Sequence, residues 1–101
     1  MSRLRYTARA ESDLDSIAAH TVEQWGMEQA LRYLSELEVC CRRLAEDPTS
    51  GRVHRPRPRY WRIEQGRHVV FFRREKNGDV LVVRILHDRM LPELHLGDVE
   101  E

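Results

Sequence analysis

Two long stretches of helical periodicity are separated by a single glycine. Ala10, Leu14, Ile17, Ala18, Thr21 and Trp25 recur at the spacing of one helix face, and Ala30, Leu34, Leu37, Cys41 and Leu44 repeat that pattern from about Met27 to Glu46. Thr7 stands before the first series with a side-chain oxygen to cap it, and Gly26 lies where the chain must leave one helix and enter the next. Pro48 and Gly51 close the second series. A connector this short forces the two helices to fold back as an antiparallel hairpin. Each helix then carries an apolar stripe that must be buried against another layer.

That layer comes from the flanking segments, where the period changes to two. Leu4 and Tyr6 alternate with Arg3 and Arg5, giving a short first strand. Trp61 and Ile63 alternate with Tyr60, Arg62 and Glu64, and Gln65-Gly66 supplies a reversal. His68 to Arg73 is apolar on both faces, as in a central strand covered on two sides, and Asn77-Gly78 is a strong hairpin signal leading into Val80 to His87. In this last strand Leu81, Val83 and Ile85 form an unbroken apolar face, expected to pack on the helices. Val80, Val82, Arg84 and Leu86 form a face broken by one guanidinium, which reads as a docking surface. The order predicts an α+β fold: a strand, an antiparallel two-helix hairpin, then a three-stranded antiparallel meander, all in one mostly antiparallel sheet. With 101 residues there is room for one core, placed in a single domain over residues 1–92 with an acidic tail over 93–101. The hairpin can cover only one side of the sheet, so the other is expected to stay open to a partner, with a small C-terminal element as the alternative cover for part of it.

The formal charge of zero conceals segregation. Residues 48–90 carry 11 Lys and Arg against 4 acids, whereas residues 91–101 carry 4 acids and no Lys or Arg. All basic residues but Lys76 are Arg, the side chain suited to bidentate contact with carboxylates and phosphates. No apolar run approaches the roughly 20 residues of a membrane span, and the N-terminus lacks the apolar region of a signal peptide, so the chain reads as cytoplasmic. Adjacent Cys40 and Cys41 cannot staple distant segments; Cys41 belongs to the apolar series, and Cys40 is expected to be partly exposed. Five scattered histidines lack metal-ligand spacing, and the glycines are isolated turn residues, so neither a metal nor a nucleotide cofactor is expected.

The candidate chemistry lies at the end of the last strand, where Arg84, His87 and Arg89 follow one another and Arg62 sits on the neighbouring hairpin. Arginines that hold a phosphate beside a proton-exchanging histidine suffice for metal-free cleavage of RNA by its own 2′-hydroxyl. The alternative is structural, with the arginines paired to acids. The basic Arg55-Pro56-Arg57-Pro58-Arg59 stretch reads equally as a nucleic-acid contact or a stiff solvated connector.

Ala10-Glu11-Ser12-Asp13-Leu14-Asp15-Ser16-Ile17, Trp25-Gly26 with Gln29-Ala30, Leu44-Ala45-Glu46-Asp47-Pro48 with Gly51-Arg52, Tyr60-Trp61-Arg62, Arg67-His68-Val69-Val70-Phe71-Phe72 and Arg84-Ile85-Leu86-His87-Asp88-Arg89-Met90, in this order, resemble the ParE toxins of the RelE/ParE superfamily. The resemblance covers about residues 3–92 and implies a toxin of a bacterial type II toxin–antitoxin pair, neutralised by a ParD-like antitoxin with an extended acidic and hydrophobic segment. It implies a non-enzymatic toxin that inhibits DNA gyrase; the alternative is a RelE-like, ribosome-dependent messenger-RNA endonuclease using Arg62, Arg84 and His87. Asp88, directly after His87, would repel a scissile phosphate and favours the gyrase branch. Target contacts are expected at Arg84, His87, Arg89 and Met90, and antitoxin contacts at Arg62, Arg73, Val80, Val82, Arg84 and Leu86. Leu91 stands where ParE sequences usually carry Asp after the Met.

Overall fold

The computed structural model describes residues 3–96. The elements run β1 (Leu4–Tyr6), α1 (Ala8–Trp25), α2 (Met27–Glu46), β2 (Arg52–Val53), β3 (Trp61–Gln65), β4 (His68–Arg74), β5 (Val80–His87) and α3 (Pro92–His95). The strands form one sheet in the order β1-β5-β4-β3-β2, with β1 parallel to β5 and every other pair antiparallel. The α+β class, the helical hairpin and the meander are as the periodicity predicts; β2 adds a fifth strand of two residues that carries no alternation long enough to detect.

Local chemistry accounts for the corners. The Thr7 hydroxyl accepts from the Ala10 amide at 3.0 Å, capping α1, and donates to the Val83 carbonyl at 2.8 Å, tying the β1–α1 corner to β5. Gly26 joins the helices at φ +89°, a conformation that a side chain would strain. At the other end of α2, the Arg74 guanidinium donates to the carbonyls of Leu44, Asp47 and Ser50 and lies over the rings of Trp61 and Phe72. One cation of the basic block therefore closes a helix terminus.

The sheet is buried on both sides. On the hairpin side, Ala10, Ile17, Leu37, Cys41 and Leu44 pack with Val70, Phe72, Val80, Val82 and Ile85. On the far side, Val69, Phe71, Leu81, Val83 and Leu86 pack with Tyr60 and Leu96. Three expectations are corrected by this arrangement. The face of β5 that meets the helices is that of Val80 and Val82, not that of Leu81 and Val83, because strands apolar on both faces give no periodic signal for which side the helices take. Strict alternation also fails: Phe71 lies opposite Arg84 and Phe72 opposite Val82, so Val83 is an extra residue in a bulge that returns Ile85 to the hairpin side. Finally, the far side is closed by the chain's own Tyr60 and Leu96, and Leu86, expected on an open face, is 1% exposed.

Leu96 is fully buried, so the compact unit extends past residue 92; residues 97–101 of the acidic tail lie outside the described residues. Both cysteines are buried, Cys40 included, and burial pushes the Cys41 thiol up to about 11 and raises that of Cys40 as well. Neither thiol is poised as a nucleophile.

Candidate functional site

Arg84 is held on two sides. Its Nε and Nη2 donate to the two carboxylate oxygens of Asp13 on α1 at 2.8 and 2.9 Å, and its Nη1 donates to the His95 carbonyl of α3 at 3.2 Å. Asp13 Oδ2 also accepts the Ile85 amide at 2.9 Å, taking the place of a strand partner where β1 has ended. The guanidinium and carboxylate are 13% and 15% exposed. This bidentate pair fastens α1, β5 and α3 together, so the structural alternative for Arg84 is the one realised.

Arg62 is on the far side of the sheet. Its guanidinium lies over the Phe71 ring, approaches His54 Nδ1 at 3.3 Å and pairs with Glu64 at 3.5 Å. His87 faces the hairpin side instead, against His68 with ring centroids 5.5 Å apart and in a cleft that includes His20, Thr21 and Trp25 of α1. The trio Arg62, Arg84 and His87 expected of a nuclease is thereby divided: two members lie on opposite faces and the third is committed to Asp13. Val80 and Val82, expected to meet an antitoxin, are fully buried beneath the hairpin. Arg73 is half-buried, whereas Arg89 and Met90 follow β5 on the surface, with Met90 45% exposed.

Sequence reading missed two surface features. The first is a groove of about 600 Å³ between the helices and the edge strand, lined by Leu4, Tyr6, Leu14, Leu34 and Leu37, with Asp15, Glu38 and Arg42 among its polar margins. Strand β1 pairs only with β5, so its outer edge borders this groove. The second is the cleft at the hairpin tip, where Tyr33 of α2 meets the β3–β4 turn: its hydroxyl lies 2.6 Å from His68 Nδ1 and 3.1 Å from the Gln65 carbonyl. Helical periodicity places Leu14, Leu34 and Leu37 on inner faces, but the gap left between helices and strand has no counterpart in one dimension.

Among the described residues no group of His, Cys, Asp and Glu could hold a metal ion, and no helix is long and apolar enough to cross a membrane. Burial holds the His54 and His68 imidazoles below their ordinary 6.5, with Arg62 adding to the effect at His54 and His87 at His68. Both are therefore neutral in the fold. As pH falls below 6.5 the unfolded chain takes up these protons before the folded one does, so stability present above that value is lost with acidification. Urea unfolding should show a lower midpoint at about pH 5.5 than at about pH 7.5, a window above the carboxylate titrations. Equal midpoints would contradict neutral burial of these two rings.

The comparisons with known proteins agree with this architecture. A family model described as the ParE toxin of the type II toxin–antitoxin system parDE matches residues 4–92. Toxin ParE1 of Caulobacter vibrioides is 38% identical over 98 residues, spanning 96% of this chain and 100% of the relative. Toxin ParE1 of Mycobacterium tuberculosis is 38% identical over 90 residues, spanning 88% and 92%. A solved structure titled as the chromosomal ParDE system from P. aeruginosa superposes with a TM-score of 0.72 at 26% identity, covering 86% of this chain and 96% of that one. A hairpin strapped to a mostly antiparallel sheet, together with a family match over nearly its whole described length, makes this chain a member of the ParE toxin family of type II toxin–antitoxin systems.

Proposed function

We propose that the chain is a non-enzymatic toxin that inhibits DNA gyrase in the cytoplasm and is neutralised by a ParD-like antitoxin. The observation that carries the choice of binding over RNA cleavage is the division of the nuclease trio, with Arg62 and His87 on opposite faces of the sheet and Arg84 spent on Asp13. A general acid and its phosphate-holding cations must act on one atom group together, and these three do not share a side. For the target, Arg89, Met90 and His87 at the end of β5 offer a cation, an exposed thioether and an imidazole in succession; Arg84 acts there by fixing the strand end rather than by contact.

The antitoxin reading moves from the far side of the sheet to the groove between α1, α2 and β1. An extended partner segment laid along the outer edge of β1 would gain main-chain hydrogen bonds and place alternate aliphatic side chains among Leu14, Leu34 and Leu37. Arg62 and Arg73, together with the basic 48–90 block, would favour encounter with an acidic segment. Purified toxin should abolish supercoiling by gyrase or trap cleaved DNA, and an added ParD-like antitoxin should reverse this. Normal supercoiling at large toxin excess, or message cleavage in a translating extract that Arg62→Ala and His87→Ala both eliminate, would overturn the proposal.

A further inference from the structure

The cleft at the hairpin tip, about 270 Å³ in volume, differs in its lining from the grooves beside α2. His20, His68, His87 and Arg67 line it from α1, β4, β5 and the β3–β4 turn, and no carboxylate is among the lining residues. Asp88 lies 3.0 Å from His87 Nδ1 but outside that lining. The grooves on either side of α2 both carry Asp and Glu. At the rim of the cleft stands Trp25, whose side chain is among the largest exposed apolar surfaces of the chain at 73%.

The floor is preorganised. Gly66, at φ +59°, lets the turn approach Tyr33 so closely that a Cβ there would come within 2.7 Å of its ring. With the Tyr33 hydroxyl donating to the Gln65 carbonyl, its oxygen accepts from His68 Nδ1, both contacts are satisfied, and His68 Nε2 is left as an acceptor.

We propose that this cleft binds one nucleotide unit, with the phosphate held by Arg67 and His20, away from the Asp88 carboxylate beside His87, and the base stacked on Trp25. Guanidinium and imidazole donors in a site not lined by carboxylates suit a phosphate, and an exposed indole beside them supplies a stacking face that a bare inorganic anion would not use. The volume is near the lower end of small-molecule pockets, about 300 Å³, which restricts the occupant to a single unit. The ligand chemistry is shared by a free mononucleotide and by the phosphorylated end of a single strand. This inference stands apart from the toxin reading and survives or fails without it.

The test is titration of the full chain with AMP, followed by Trp25 fluorescence and by calorimetry, with adenosine, inorganic phosphate and a 5′-phosphorylated tetranucleotide as parallel ligands. AMP is expected to quench the indole saturably, with adenosine and phosphate each at least about tenfold weaker. Arg67→Ala, on an exposed turn, should weaken AMP about tenfold while the thermal midpoint is unchanged. Tetranucleotide binding tighter than AMP would identify a strand end as the source, and equal or weaker binding a free mononucleotide. Absence of saturable binding by AMP and tetranucleotide, phosphate binding as tight as AMP, or an Arg67→Ala variant with unaltered affinity would overturn the site.

Discussion

Asp13→Ala is expected to lower the stability of the fold by about 3–5 kcal/mol, because it strands a nearly buried guanidinium and a strand-edge amide together. Arg84 would lose both charge-assisted bonds and keep only the His95 carbonyl, while the Ile85 amide would lose its acceptor at a point where β1 no longer reaches. Replacing both residues should cost less than the sum of the single changes, since the double variant leaves no uncompensated charge. Urea denaturation of Asp13→Ala, Arg84→Met and the double variant forms the cycle. Single losses below about 1 kcal/mol would reduce the pair to a surface contact. One consequence reaches the functional assays. A charge reversal such as Arg84→Glu sets two carboxylates against each other inside the fold, so any loss of antitoxin or gyrase binding in that variant reports folding first.

Antitoxin affinity is expected to fall about 100-fold in Ala18→Glu. Ala18 lies on α1 at the wall of the groove, half-buried and small, and glutamate is a good helix former, so the hairpin tolerates the change. The new carboxylate joins Asp15 and Glu38 around the groove, reducing its apolar depth and opposing an acidic segment by like-charge repulsion. Calorimetric titration with the antitoxin measures the effect, and circular dichroism confirms the fold. An unchanged dissociation constant, alongside a large loss in an Arg73→Glu variant, would return the contact to the sheet.

Much of the architecture was legible because it rests on local chemistry. The Ala10-to-Trp25 and Ala30-to-Leu44 stripes, the Thr7 cap, the Gly26 joint and the Asn77-Gly78 turn each act within a few residues of chain, and each appears where its pattern puts it. The candidate site was less legible. Arg62 and Arg84 flank Phe71 in register on the far face, but His87 faces the hairpin side and Arg84 is taken by Asp13, and a one-residue bulge at Val83 shifts the facing of the residues after it. The partner of Arg84 lies 71 residues away on α1, a separation across which no periodicity operates.

By itself, then, the amino-acid order determined the element sequence, the α+β class, the two-sided burial of the central strand and the motifs that resemble ParE, all of which depend on neighbours along the chain. Only the tertiary structure decided which face of β5 meets the helices, that Tyr60 and Leu96 seal the other face, that Arg84 is joined to Asp13, and that a groove and an imidazole-lined cleft remain. The physical reason is that a strand apolar on both faces is indifferent to its orientation until packing chooses one, and concave surfaces exist only between elements already packed.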